Sequence, residues 1–134
     1  MRIVLDEGAK VNRAHPTDAG LDLFSRNRRT IDGYGFATFD TGVHVQIPEG
    51  FYGEIRSRSS LMIKGITTDG TIDSHYTGPL KVCLFNHGIT PYVVEAGDKS
   101  AQLVIVPCML PELTVVDSLE ETDRGDAGFG STGR

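Results

Sequence analysis

Short runs in which apolar and polar residues alternate recur along the chain, at positions 2–5, 21–24, 43–47, 51–56, 80–85, 92–95, 102–106 and 113–116, and Gly, Pro, Asn or Asp separates them. A period of two puts successive side chains on opposite faces, so these runs predict half-buried β-strands. In Gly42-Val43-His44-Val45-Gln46-Ile47 the pattern buries Val43, Val45 and Ile47 and turns His44 and Gln46 outward. Only Ser59-Ser60-Leu61-Met62-Ile63-Lys64 reads as helical: serines able to cap precede three apolar residues, and Gly65 follows as a stop. Eight or more short strands, one helical turn and many glycine turns predict an all-β sandwich, jelly roll or similar fold, closed to manage its edges.

Composition narrows this picture. At 134 residues there is room for one domain of ordinary size, which needs neither disulfides nor a structural metal to fold. The 16 glycines exceed the usual share, yet a 39% hydrophobic content is ordinary for a globular chain, so the excess does not signal disorder. A net charge of −5 has the wrong sign for tracking a nucleic-acid backbone and excludes long polyanions as partners. The cluster Arg26-Asn27-Arg28-Arg29 reads as a solvated turn. No apolar run approaches the length of a membrane span, so no membrane partner is expected. Cys83 and Cys108 show no metal spacing and read as buried free thiols of a reducing compartment. The expected location is the cytoplasm, that of the host if the gene is viral.

Three segments carry candidate chemistry. Arg58-Ser59-Ser60, at the start of the helical turn, either caps the helix or holds an anion with guanidinium, hydroxyls and backbone N–H groups. Gly70-Thr71-Ile72-Asp73-Ser74-His75-Tyr76-Thr77-Gly78 reads as a hairpin arm that closes before the strand starting at Leu80. Within it Asp73 is either a partly desolvated general base or an Asx-turn residue, and Tyr76 either a packing residue or a ligand contact. Composition shifts near residue 120, which divides the chain into a β-domain of residues 1–119 and a polar, glycine-rich segment of residues 120–134. That segment is either a loose tail or a mobile lid, in which Arg124 supplies charge, Phe129 a ring able to stack, and Gly130-Ser131-Thr132-Gly133 phosphate donors. The histidines lack zinc spacing, so any metal is expected to be Mg²⁺ carried with a polyphosphate.

Taken in order, five segments resemble the five motifs of the trimeric deoxyuridine triphosphatase (dUTPase) family. They are Ala19-Gly20-Leu21-Asp22-Leu23, Arg58-Ser59-Ser60-Leu61, the stretch from Gly70 to Gly78 quoted above, Gly97-Asp98-Lys99-Ser100-Ala101-Gln102-Leu103, and Arg124-Gly125-Asp126-Ala127-Gly128-Phe129-Gly130-Ser131-Thr132-Gly133. The resemblance implies a β-clip or jelly-roll-like barrel with one short helix and a flexible C-terminal tail, and a homotrimer whose active sites are shared between subunits. It implies hydrolysis of dUTP to dUMP and pyrophosphate with Mg²⁺, which limits uracil incorporation into DNA and supplies dUMP for thymidylate synthesis.

On this resemblance Asp73 activates the attacking water and Tyr76 packs under the deoxyribose, excluding a 2′-hydroxyl. Main-chain groups of Thr71, Ile72 and Asp73, with Gly70 beside them, read uracil, and Lys81 contributes backbone contact. Arg58, Ser59, Ser60 and Gln102 contact the phosphate chain, and Asp22 holds a water of the Mg²⁺ shell. From a neighbouring subunit Arg124 binds the γ-phosphate, Phe129 stacks on uracil, and Gly130, Ser131 and Thr132 close over the phosphates. The sequence departs from the family pattern at Ser57 for a common Pro, Ser60 for Gly, His75 for Asp, Thr77 for Arg and Ala127 for Gly. A dCTP deaminase or bifunctional relative shares the fold but uses Glu where Asp73 stands. A regulator closed by nucleotide and read by a partner uses the same closing residues.

Overall fold

The computed structural model describes residues 1–128. It contains eleven strands and one short helix: β1 (Arg2–Leu5), β2 (Val11–Asn12), β3 (Gly20–Phe24), β4 (Arg29–Ile31), β5 (Phe36–Gln46), β6 (Phe51–Arg56), α1 (Ser59–Met62), β7 (Ile66–Thr67), β8 (Asp69–Ile72), β9 (Pro79–Asn86), β10 (Tyr92–Val94) and β11 (Lys99–Pro107). A four-stranded sheet has the order β1-β5-β9-β7, a five-stranded sheet the order β2-β3-β11-β6-β8, and β10 pairs with β4. Every pairing is antiparallel. This is the all-β, jelly-roll-like architecture the alternation predicts.

The inward positions form one core. Leu23, Phe39, Val43, Leu80, Leu84 and Leu103 are fully buried in it, and the alternation at 43–47 holds, with Val45 and Ile47 also inside. Thr41 lies among these apolar groups at no cost in lost hydrogen bonding, because its hydroxyl donates to the Leu80 carbonyl at 2.7 Å. Asn86 is buried likewise: its carboxamide donates to the carbonyls of Ile31, Asp32 and Thr90 and accepts from Gly88 N–H, fastening the β4 connection to the end of β9.

Several expectations are corrected. The β-branched run at 113–116 forms no strand: Leu113 and Val115 are exposed, with no main chain beside them to complete a ladder. The stretch from Gly70 to Gly78 is not a hydrogen-bonded hairpin, since β8 pairs with β6 in one sheet and β9 with β5 and β7 in the other. It is an arch between the sheets. Arg58, not a serine, takes the N-cap position of α1, and no side chain caps it. Gly65 does end that turn, with φ of 73° and its N–H on the Met62 carbonyl at 2.9 Å. The arginine cluster is only partly a solvated turn. Arg29 opens β4, and Arg26 bridges Asp6 at 3.2 Å and Asp40 at 3.3 Å. Both cysteines are free but half-buried rather than fully buried.

Candidate active site

Two clefts collect the candidate residues. The first, of about 390 Å³, is lined by Thr71, Ile72, Asp73, Tyr76, Pro79 and Lys81 and lies in the arch between β8 and β9. Its shape follows from topology: β8 is the edge strand of its sheet, bonded to β6 on one side, so its outer edge carries main-chain donors and acceptors with no ladder partner among the described residues. Tyr76 N–H donates to the Asp73 carbonyl at 3.1 Å, a turn that brings the tyrosine back toward the carboxylate. The phenol donates to the Pro79 carbonyl at 3.0 Å, which leans the ring along the wall. Asp73 is exposed, not partly desolvated as its place after Ile72 predicts.

The second cleft, of about 400 Å³, is lined by residues including Asp18, Gly20, Asp22, Arg58, Ser59 and Gln102. Asp22 is 8% exposed, and its two oxygens are each engaged: Oδ1 with Arg58 Nε at 3.2 Å, Oδ2 with Lys99 Nζ at 2.8 Å. The Gln102 carboxamide donates to the Ser57 carbonyl at 3.3 Å and packs over Gly20 so closely that a Cβ there would lie 2.3 Å from Gln102 Oε1. Ser57, where the family pattern has proline, uses its hydroxyl to accept from Thr68 N–H at 2.7 Å and donate to Thr68 C=O at 2.8 Å. That pair fastens the junction of β7 and β8 to the Arg56 end of β6. Asp18 sits on the rim, its carboxyl held below the usual range chiefly by the backbone N–H of His15 and then by the His15 ring.

Ser60 does not join this group. With Lys64 and Lys99 it lines a neighbouring cleft of about 440 Å³ on the other side of Arg58, walled by Phe24 and Tyr92. Lys99 is the residue sequence reasoning missed: it stands in a quoted motif, but nothing in the alternation says that its ammonium turns back onto Asp22. Gly20 is a second, because a close approach between neighbouring strands has no one-dimensional signal. Arg124 is exposed, and among the described residues its Nε donates to the Ala127 carbonyl at 3.1 Å. The expectations on Phe129, Gly130, Ser131 and Thr132 lie outside the described residues.

The two clefts share no lining residue. Asp73 stands one residue past the Ile72–Gly53 pair and Gln102 faces Arg56, so the two differ by four residues along β6 and two strands across it. At ~3.3 Å per residue and ~4.8 Å per strand that is roughly 16 Å. At the level of the backbone, the two residues therefore open on separate clefts.

The sequence matches the dUTPase family over residues 6–133. It is 44% identical over 124 residues to the deoxyuridine 5'-triphosphate nucleotidohydrolase of Alkaliphilus metalliredigens, covering 90% of this chain and 86% of that protein. To the enzyme of the same name from Yarrowia lipolytica it is 42% identical over 134 residues, covering 96% and 85%. Its fold superposes on the Staphylococcus bacteriophage 80alpha dUTPase bound to dUpNHpp with a TM-score of 0.90 at 32% identity, covering 99% of this chain and 98% of that one. A dUTPase from phage phi11 of S. aureus, whose structure is described as revealing the coordination of a structural Mg(II) ion, gives 0.81 at 33% identity, covering 90% and 98%. Likeness across nearly the whole length, in sequence and in fold, places the clefts in a known context: the chain belongs to the dUTPase family and hydrolyses dUTP to dUMP and pyrophosphate.

Proposed function

We propose that the arch cleft holds the deoxyuridine and the Asp22–Arg58–Gln102 cleft the triphosphate, and that one working site combines the first from one copy of the chain with the second from another. The observation that carries this reading is that the two clefts are separate in the chain, with different lining residues and with the backbones of Asp73 and Gln102 roughly 16 Å apart. Residues 109–119 support it from another side. Met109, Leu110, Leu113, Val115 and Leu119 are left more than four-fifths exposed, an apolar arm that a second copy of the chain can cover. The assembly is a homotrimer, and residues 120–134 act as a lid over a neighbour's site. There Arg124 meets the γ-phosphate, Phe129 stacks on uracil, and Gly130, Ser131 and Thr132 close over the phosphates.

In the arch cleft the free edge of β8 reads uracil through main-chain groups of Thr71 to Asp73. Tyr76 lies under the sugar and leaves no room for a 2′-hydroxyl, while Lys81 contributes from β9. Asp73 takes a proton from a water whose oxygen attacks the α-phosphorus. The bond from that phosphorus to the bridging oxygen breaks, and pyrophosphate leaves. Arg58, Ser59 and Gln102 neutralise and orient the departing phosphates, with Ser60 on the adjoining wall.

Among the described residues there is no group of three or more His, Cys, Asp or Glu side chains that could cage a metal. The donor set nevertheless fits Mg²⁺ that arrives on the triphosphate and keeps its waters, because Asp22 offers one carboxylate at the phosphate cleft. When bound, Mg²⁺ would supply charge neutralisation at the phosphates, and Asp22 is the residue that would hold it through water. Two free thiols suit the cytoplasm as the setting.

Asp73→Asn tests the base. The variant is expected to fold, to bind a non-hydrolysable dUTP analogue as the parent does, and to lose turnover by about 10²–10⁴-fold or more. Near-normal pyrophosphate release by the variant removes Asp73 from that role.

A further inference from the structure

The ring of Tyr76 is held by little. It is 43% exposed, its phenol has one partner among the described residues, the Pro79 carbonyl, and its inner surface rests on the backbone of the residue two positions on. That residue is Gly78, and the approach is close: a Cβ built there would lie 2.6 Å from Tyr76 Oη, 2.7 Å from Cζ and 3.0 Å from Cε2. Separations this short are not tolerated between carbon and a ring, so any side chain at position 78 must drive the phenol away.

We propose that Gly78 is a positioning residue for sugar discrimination: its missing side chain creates the seat on which the Tyr76 ring lies, and so sets the height of the surface beneath the sugar. This rests on the reading of the arch cleft as the deoxyuridine site given above. Gly78 touches no substrate in that reading and acts through Tyr76. Its backbone does not adopt the left-handed conformation, unlike Gly65 at φ of 73°, so alanine at position 78 carries no backbone strain. The clash falls instead on the free end of an exposed side chain, which swings out cheaply. The fold is kept, while the phenol loses its bond to Pro79 and leaves its seat. The fit of one small group in a pocket is worth roughly 10–200-fold in discrimination, so most of that range is at stake in the placement of one ring.

The experiment measures kcat/KM for dUTP and for UTP, with Tm, in the full chain and in Gly78→Ala, Tyr76→Ala and the double variant. Gly78→Ala is expected to keep its Tm within a few degrees and to lose about tenfold or more of the dUTP-over-UTP ratio, approaching the ratio of Tyr76→Ala. In the double variant the added methyl has no ring to displace, so it should fold as Tyr76→Ala does and show no further loss of ratio. An unchanged ratio in Gly78→Ala, losses that add in the double variant, or a double variant that fails to fold would each overturn the inference while leaving Tyr76 as the sugar platform. If instead Tyr76→Ala itself keeps the parent's preference for dUTP, the assignment of the arch cleft fails, and the inference with it.

Discussion

Asp22 fixes the guanidinium of Arg58: its Oδ1 lies 3.2 Å from Arg58 Nε, while Oδ2 is neutralised by Lys99 Nζ at 2.8 Å. The carboxylate is buried and the two cations are only about a third exposed, so the triad is a partly desolvated network and not a surface ion pair.

Asp22→Asn should therefore act on both stability and phosphate binding. Two cations lose their counter-charge in a partly dry place, at a cost of about 1–3 kcal/mol, less than for a fully buried pair because both reach water. A lowered Tm with a raised KM for dUTP is the expected outcome. Lys99→Met keeps the bond from Asp22 to Arg58 and should cost less in both. If Asp22→Asn raises KM no more than Lys99→Met, Asp22 does not orient Arg58.

A pH effect follows from Glu54 on β6. Its carboxyl is held below the ordinary range, first by the Tyr52 phenol donating at 2.6 Å and then by Arg56, with which it is also ion-paired. A depressed folded-state value means that this contribution to stability is complete above the unfolded Glu value of about 4.3 and is lost as pH falls through the lower folded value. Glu54 faces Thr71 across the ladder, so this row of side chains braces the strand that leads to Asp73. An NMR titration of the Glu54 carboxyl should show a midpoint below the unfolded Glu value, and Glu54→Gln should flatten the acid limb of the stability curve. A normal midpoint removes the effect.

How much of this was legible in the sequence depends on whether a feature is local. The strand at 43–47 could be read from Val43, Val45 and Ile47 alone, because burial of one face is a period-two pattern. Residues 113–116 have the same chemistry and no strand, because a ladder needs a partner and propensity does not supply one. Arg29–Ile31 failed in the opposite sense: it pairs with β10, yet only Ile31 is buried, and two polar residues in three hid it. In the site, the motifs brought out Asp73, Tyr76, Arg58 and Gln102. The turn of Lys99 onto Asp22, and the seats that Gly20 and Gly78 make for Gln102 and Tyr76, arise from strand packing and have no signature in one dimension.

Removal of residues 124–134 separates a lid from a structural arm. Among the described residues the last strand is β11, which ends at Pro107, and residues 120–128 are exposed and bury no apolar group of the core. Tm should stay within a degree or two of the full chain, while kcat/KM for dUTP falls by at least about 10²-fold through loss of closure. A large fall in Tm would instead make the segment part of the packed fold.

The division of the site between copies allows a sharper test, since it predicts that two dead proteins restore each other. Asp73→Asn lacks the base but carries an intact phosphate cleft, and Arg58→Ala lacks a phosphate cation but carries an intact arch cleft. If each working site takes its arch from one subunit and its phosphate cleft from another, a refolded equimolar mixture contains sites that draw Asp73 from the second variant and Arg58 from the first. Random assembly places both intact halves together in about one quarter of sites, so the mixture should recover roughly that share of parental kcat, while each variant refolded alone stays inactive. Recovery must also depend on subunit exchange: proteins mixed after folding, under conditions where the oligomer does not dissociate, should show none. If no activity returns after co-refolding, although mixed oligomers are present by native mass spectrometry, each chain uses its own Asp73 with its own Arg58. One triphosphate would then lie between the two clefts of a single subunit.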